Sequence, residues 1–128
     1  MVIQEYYDWS THQTEPPLPG LKHAIAACLK SFKNSEGEID IGRELPAMLN
    51  AIGMHKIKTR PLAKLASHGE LSWQWPTSFY RVYFPKLVEL GYLSKEELDL
   101  CFKDLEQLEK TDHATIFCPA MIEVIATK

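Results

Sequence analysis

The sequence lacks a long apolar run, an excess of positive charge and a secretory leader. No stretch of the 128 residues approaches the roughly 20 apolar residues that a membrane-spanning helix requires. The formal net charge is −3, which argues against nucleic-acid binding because such proteins present a basic face. The first residues show neither the basic segment nor the apolar segment of a signal peptide. We therefore expect a protein that acts on neither membranes nor nucleic acids.

The sequence also has few cysteines, and their spacing fits no known arrangement. Cys28, Cys101 and Cys118 are odd in number and far apart, which excludes a disulfide framework and a redox or zinc motif. We predict three free thiols in a reducing cytoplasm. The five histidines show no ligand spacing either, so no metal site is expected.

What is present is a hydrophobic content of 45%, enough for the core of one domain over residues 1–128. Apolar periodicity and turn residues predict the order strand, helix, helix, strand, two helices, strand, which is an α/β fold. The predicted strands lie near 2–8, 55–66 and 114–127. The predicted helices lie at 21–32, from 40 or 42 to 52, at 77–90 and at 94–110, the last opened by a capping box of Ser94 and Glu97. The predicted loops lie at 10–20, 33–40 and between the second strand and Pro76.

The three strands differ in pattern. In the second strand, Lys56, Lys58 and Arg60 alternate with less polar residues and Pro61 follows, which favours a sheet edge. The last strand is apolar on both faces apart from Glu123, which predicts a central strand that is covered on both sides. The first strand has a flank without a predicted partner, so a missing part of the same protein or a second copy should cover it.

Four stretches resemble class I methyltransferases that use S-adenosylmethionine and act on small molecules. Residues 2–9 resemble the family's fifth strand, and 40–46 with 51–54 resemble the helix that leads into the sixth. Met54 stands where the family often has phenylalanine. Residues 90–97 resemble a helix start of small-molecule members, and 117–128 resemble the last strand. The resemblance implies a partial Rossmann-like sheet, with the last strand antiparallel between the other two. Helices at about 77–110 would be an insertion that helps to cover the acceptor.

The glycine-rich cofactor loop of that family is missing. The chain has six glycines and no G-x-G. The resemblance therefore implies the carboxyl-terminal, acceptor-side part of a methyltransferase, incomplete and inactive alone, with no cofactor bound by this chain by itself. Its expected partners are a small-molecule acceptor and either the missing amino-terminal half or a second copy, through the first strand. The alternative is a non-enzymatic, homodimerising α/β module.

Ligands of open α/β sheets bind at the carboxyl ends of strands, which here means the end of the first strand and the loop after it. Glu5 and His12 are the candidate catalytic residues, as groups that orient the acceptor or accept its proton. Each also has a simpler interpretation, a solvated acid and an exposed histidine. The candidate acceptor-binding residues are aromatic, and these side chains could equally form a core: Tyr6, Tyr7, Trp73, Trp75, Phe79, Tyr80 and Tyr83.

Overall fold

The computed structural model describes residues 1–128 and shows a mixed α/β fold with four helices and two antiparallel sheets. The strands are β1 (Val2–Asp8), β2 (Gln13–Glu15), β3 (His55–Leu62), β4 (Leu65–Ser67), β5 (Thr115–Phe117) and β6 (Ala120–Thr127). The helices are α1 (Pro19–Asn34), α2 (Leu45–Ala51), α3 (Leu71–Glu89) and α4 (Lys95–Glu109), with 3-10 turns at Trp9–Thr11 and Ile41–Arg43. None of the helices combines the length and the apolar character needed to cross a bilayer.

The large sheet has the strand order β1-β6-β3, and β6 runs antiparallel to both neighbours. Ile3 and Thr59 both lie opposite Val124, one on each side. The prediction that the last strand lies between the other two is confirmed, and so is the edge position of β3. The outer side of β1 is the second free edge of this sheet.

The two faces of the large sheet are covered very differently. On one face α2 packs against β3 and β6, and four buried residues form a small group that we call the sheet cluster: Leu49, Met54, Val124 and Ala126. On the opposite face Val2 and Ile125 are 61% and 40% exposed. The prediction that β6 is covered on both sides is therefore wrong, because α1, α3 and α4 pack mainly with one another and with the small sheet.

Glu123 lies on this open face and yet is almost completely buried. Gln4 Nε2 donates to its carboxylate at 2.8 Å, and Arg60 Nη2 lies 2.7 Å from its other oxygen. The hydrogen bonds from Gln4 and Arg60 hold the pKa of Glu123 below its usual range. This cross-strand network ties the three strands of the large sheet together through their side chains.

The small sheet has the order β2-β5-β4 and was not predicted from the sequence. It divides two of the predicted strands: 55–66 separates into β3 and β4, and 114–127 separates into β5 and β6. Its third strand, β2, lies inside the predicted loop at 10–20. Each of its strands has only three residues, too few for alternation of polar and apolar side chains to give a signal.

The small sheet and helices α1, α3 and α4 enclose most of the buried apolar side chains. Eighteen buried residues form this helical core, among them Leu21, Phe84, Leu105 and Ile116, each with an exposed fraction of 1% or less. All three cysteines are free, as predicted, and the structure places them in this core. The protein thus has one large core on the helical side and one small cluster on the sheet.

Two helix starts show how local and tertiary signals differ. Ser94 begins α4 with the predicted capping box: its hydroxyl accepts from the Glu97 amide, and the Glu97 carboxylate accepts from the Ser94 amide. Helix α3 begins at Leu71 and not at Thr77, so the predicted loop before Pro76 is wrong and Pro76 and Pro85 both lie inside the helix. Burial of one side of α3 in the helical core outweighs the hydrogen bonds that the two prolines remove.

Candidate functional site

The segment that leaves the carboxyl end of β1 is held in a fixed turn. The Asp8 carboxylate accepts from the amide of Ser10 at 2.9 Å and from its hydroxyl at 2.6 Å. The Thr11 hydroxyl donates to the Asp8 carbonyl at 2.7 Å and accepts from the Ala120 amide at 2.8 Å. These bonds anchor the turn to the start of β6 and present His12, the next residue, to the interior.

His12 forms a hydrogen bond with a tyrosine that lies 68 residues further along the sequence. Its Nε2 meets the hydroxyl of Tyr80, which lies on α3 and is completely buried. Trp9 stacks on the imidazole, with ring centroids 6.1 Å apart and an interplanar angle of 15°. The candidate base is therefore an oriented, half-buried side chain, and the interpretation of His12 as a freely exposed loop histidine is wrong.

Burial determines the protonation state of this pair. Desolvation lowers the pKa of His12 to about 4 and raises the pKa of Tyr80 well above its usual value. Both groups are consequently neutral at pH 7. One nitrogen of the neutral imidazole carries a proton and the other accepts, so Nδ1 can accept from a ligand only in the tautomer in which Nε2–H donates to the Tyr80 hydroxyl. This is the state that a base near neutral pH requires, although a pKa of about 4 makes the base weak.

Part of the predicted aromatic group gathers next to His12. Tyr6, at the end of β1, stacks on Trp75 with centroids 6.1 Å apart and lies 5.0 Å from the Trp9 ring. Phe79 contacts Trp9 at 5.8 Å. The gap between these rings measures only about 10 Å³, which is room for one water at most. These side chains form a packed wall beside His12 and leave no pocket between them.

The other candidate side chains lie elsewhere. Glu5 is half-buried opposite Ile122, and its side chain makes no hydrogen bond or ion pair. Tyr7 is 44% exposed, with the Arg43 guanidinium 5.3 Å above its ring. Trp73 is buried against His68. Tyr83 stacks on Phe32 and Phe79, further along α3.

An open cavity of about 350 Å³ lies on the other side of His12, between the segment after β1 and helix α1. Its volume falls at the lower end of the range for small-molecule sites. Its lining is polar on the side of the segment and mainly apolar on the side of the helix: Ser10, His12, Gln13, Thr14, Pro17, Leu18, Leu21, Lys22 and Ile25. Of these residues, sequence reasoning selected only His12. The others come from a proline-rich segment and a helix whose approach is a tertiary contact, so no local pattern marks them.

The remaining reactive groups do not form a second centre. Burial raises the pKa of the Cys28 and Cys101 thiols to about 12 and also raises that of Cys118, so none supplies a thiolate at neutral pH. A broad groove of about 540 Å³ near His68 and His113 is lined almost wholly by polar residues. No three histidine, cysteine or acidic side chains are grouped to hold a metal ion.

No protein-family model and no characterised protein matches the chain. Any function must therefore be argued from the arrangement of the large sheet and from the cavity beside His12.

Proposed function

We propose that this chain is the acceptor-side part of an S-adenosylmethionine-dependent methyltransferase that acts on a small molecule. The observation that supports this most strongly is the order β1-β6-β3 with β6 antiparallel to both neighbours. The resemblance to class I methyltransferases requires this order for their last three strands. A reversed β6, or β6 at an edge, would have excluded it.

The free edge of β1 is a second observation that supports the proposal. The amide of Ala126 donates to the Met1 carbonyl, and the Met1 amine donates to the Ala126 carbonyl. By the alternation of antiparallel pairs, the backbone groups of Val2 and Gln4 then point away from β6, where no strand pairs with them, whereas the Tyr6 carbonyl lies against Gly42 of the 3-10 turn. In the proposed enzyme a strand of the cofactor-binding half pairs along this edge, and that half covers the open face.

The glycines of this chain do not fit the cofactor. Gly53, Gly69 and Gly91 adopt positive φ angles in separate turns, each with open space around it. Gly20 opens α1, but the Asp104 carboxylate already accepts from its amide at 2.6 Å. We therefore assign no step to the cofactor here, and the residues of this chain serve the acceptor alone.

On the acceptor side the cavity and His12 have complementary roles. Methyl transfer depends mainly on holding the acceptor atom in line with the methyl group, which a preformed cavity achieves. The imidazole, oriented by Tyr80 and Trp9, accepts a hydrogen bond or a proton from an acceptor hydroxyl. Its low pKa suits positioning better than strong base catalysis.

The test is the binding of S-adenosylmethionine by two polypeptides together. We would express this chain with the polypeptide encoded directly upstream of Met1 and titrate the pair calorimetrically. The pair should bind with micromolar affinity, and this chain alone should not. No binding by the pair would contradict the proposal, and micromolar binding by this chain alone would show that the cofactor half is wrongly assigned.

Two proline substitutions provide matched variants for that titration. Gln4→Pro removes an amide on the free edge of β1, whereas Thr59→Pro removes one on the outer edge of β3, where Pro61 already stands. Only Gln4→Pro should abolish assembly and cofactor binding. Gln4→Ala controls for the lost hydrogen bond to Glu123.

The same free edge supports a second candidate, a non-enzymatic module that dimerises by pairing β1 with β1 of another copy. Sedimentation of the chain measures this directly, and Gln4→Pro should dissociate such a dimer while Thr59→Pro should not. A stable dimer together with no cofactor binding by the pair favours the module over the enzyme.

A further inference from the structure

The cavity beside His12 has two chemically distinct walls. Leu18, Leu21 and Ile25 form an apolar floor along α1, and each is no more than 9% exposed. The facing segment contributes the Gln13 amide and the Thr14 hydroxyl, neither of which forms a side-chain hydrogen bond within the chain. A ligand that fits both walls has an apolar body and at least one polar group.

Lys22 is the only cationic residue that lines the cavity. It is exposed in the first turn of α1, where the helix dipole disfavours a cation, and it takes part in none of the ion pairs of the chain. The nearby Asp104 carboxylate accepts from the amides of Gly20 and Leu21 at 2.6 and 3.3 Å, so it occupies the free amides of the helix end. Asp104 does not line the cavity. The cavity therefore presents one unpaired positive charge at its rim.

We infer that the cavity binds a small carboxylic acid with an apolar body, its carboxylate beside Lys22 and its hydrocarbon on the floor formed by α1. The polar group nearest His12 would be the one that the protein acts on. This inference names the chemical class of the acceptor and so rests on the proposed function, but binding itself requires only this chain.

The experiment compares octanoate with octanamide, which has the same length and no charge. Each is titrated into the ¹⁵N-labelled chain while amide shifts are followed by NMR. Octanoate should move the amides of Thr14, Lys22 and Ile25. It should bind about two- to fivefold more tightly than octanamide, within the range that a solvent-exposed ion pair accounts for.

Lys22→Gln should abolish the preference for octanoate. Lys30→Gln is the matched control, because it removes the same charge from an exposed position on the same helix, about 12 Å further along. Neither substitution alters a buried residue. Equal binding of octanoate and octanamide, equal effects of the two substitutions, or shifts confined to the open face of the large sheet would each overturn the inference.

The outcomes separate this inference from the proposed function. If the paired polypeptides bind S-adenosylmethionine but octanoate does not bind in the cavity, the acid class is wrong and the methyltransferase proposal is unaffected. If octanoate binds as expected but the pair does not bind the cofactor, the cavity is an acid site and its ligand is not a methyl acceptor.

Discussion

The helical core contains 18 buried residues, whereas the sheet cluster contains four, although the large sheet includes the two longest strands of the protein. The helical core is enclosed by three helices and the small sheet. The large sheet is covered on one face and leaves the other face and the edge of β1 open. The large sheet therefore depends more on a binding partner for burial of its apolar surface than the helical core does.

A region with its own core is stable without a partner, since buried apolar area is the main source of stability. A sheet that buries only one face gains about half of the free energy of burial that it would gain with both faces covered. We therefore expect the helical region to determine the stability of the isolated chain, and the large sheet to gain most from a partner.

The largest expected effect comes from making the same substitution in both regions. Leu105→Ala, in the helical core, should lower the free energy of unfolding by about 4 kcal/mol, and Leu49→Ala, in the sheet cluster, by about 2 kcal/mol. The smaller value follows because fewer buried neighbours surround Leu49. Urea denaturation followed by circular dichroism measures both. Equal losses of unfolding free energy would mean that the two regions are packed equally well and unfold together.

The second prediction concerns pH and the hydrogen bond between His12 and Tyr80 in the helical region. The folded pKa of His12 is about 4 and the unfolded value is about 6.5, so below pH 6.5 the unfolded chain binds a proton that the folded chain rejects. Stability should be fully present above pH 6.5 and fall by about 3 kcal/mol as the pH is lowered to 4. His12→Gln should remove this part of the pH dependence.

His55→Gln is the control, because His55 is exposed at the start of β3 and its side chain makes no hydrogen bond. This variant should keep the pH profile of the natural chain. Carboxylates contribute to the profile of every variant, so the quantity to compare is the difference between profiles. If the pH profile of His12→Gln is the same as that of the natural chain, His12 is protonated as easily in the folded chain as in the unfolded one.

Local sequence patterns predicted the features that depend on neighbouring residues. The capping box at Ser94 and the edge position of β3, with its cations and Pro61, follow from short-range chemistry. The position of β6 between its neighbours came from the family resemblance and from its apolar pattern, but that pattern also suggested a cover for both faces. Apolar side chains on a strand show that a face favours burial, and they do not show which part of a protein buries it.

The candidate site was predicted only in part for the same reason. His12 was selected, but its hydrogen bond to Tyr80 spans 68 residues and has no local signal. The cavity forms where Lys22 and the apolar side of α1 approach Thr14. That approach depends on packing in the helical core, which no periodicity within a single segment encodes.

The smallest expected effects come from two glycines that test how tightly each region is packed. A Cβ at Gly42 would lie 2.5 Å from the Tyr6 carbonyl oxygen and 2.7 Å from Ile122 Cγ2, so the 3-10 turn at Ile41–Arg43 would have to move away from β1. A Cβ at Gly20 would meet the Asp104 carboxylate at 2.7 Å and the Leu100 backbone at 3.1 Å, and the carboxylate can move away only by weakening its hydrogen bonds to the Gly20 and Leu21 amides. Because the nearest atom at Gly42 is a backbone oxygen and the nearest at Gly20 is the end of a side chain, Gly42→Ala should cost about 2 kcal/mol and Gly20→Ala about 1 kcal/mol.

Thermal unfolding of the two variants checks this order, and the Gly20→Ala value includes a small gain because alanine restricts the unfolded chain. If Gly42→Ala lowers the free energy of unfolding as little as Gly20→Ala does, the turn at Ile41–Arg43 moves without destabilising the protein, and β1 is loosely packed on that side. The large sheet would then be less ordered in the isolated chain than the helical core. Adding the strand partner that we propose for the free edge of β1 should in that case raise the cost of Gly42→Ala and leave the cost of Gly20→Ala unchanged.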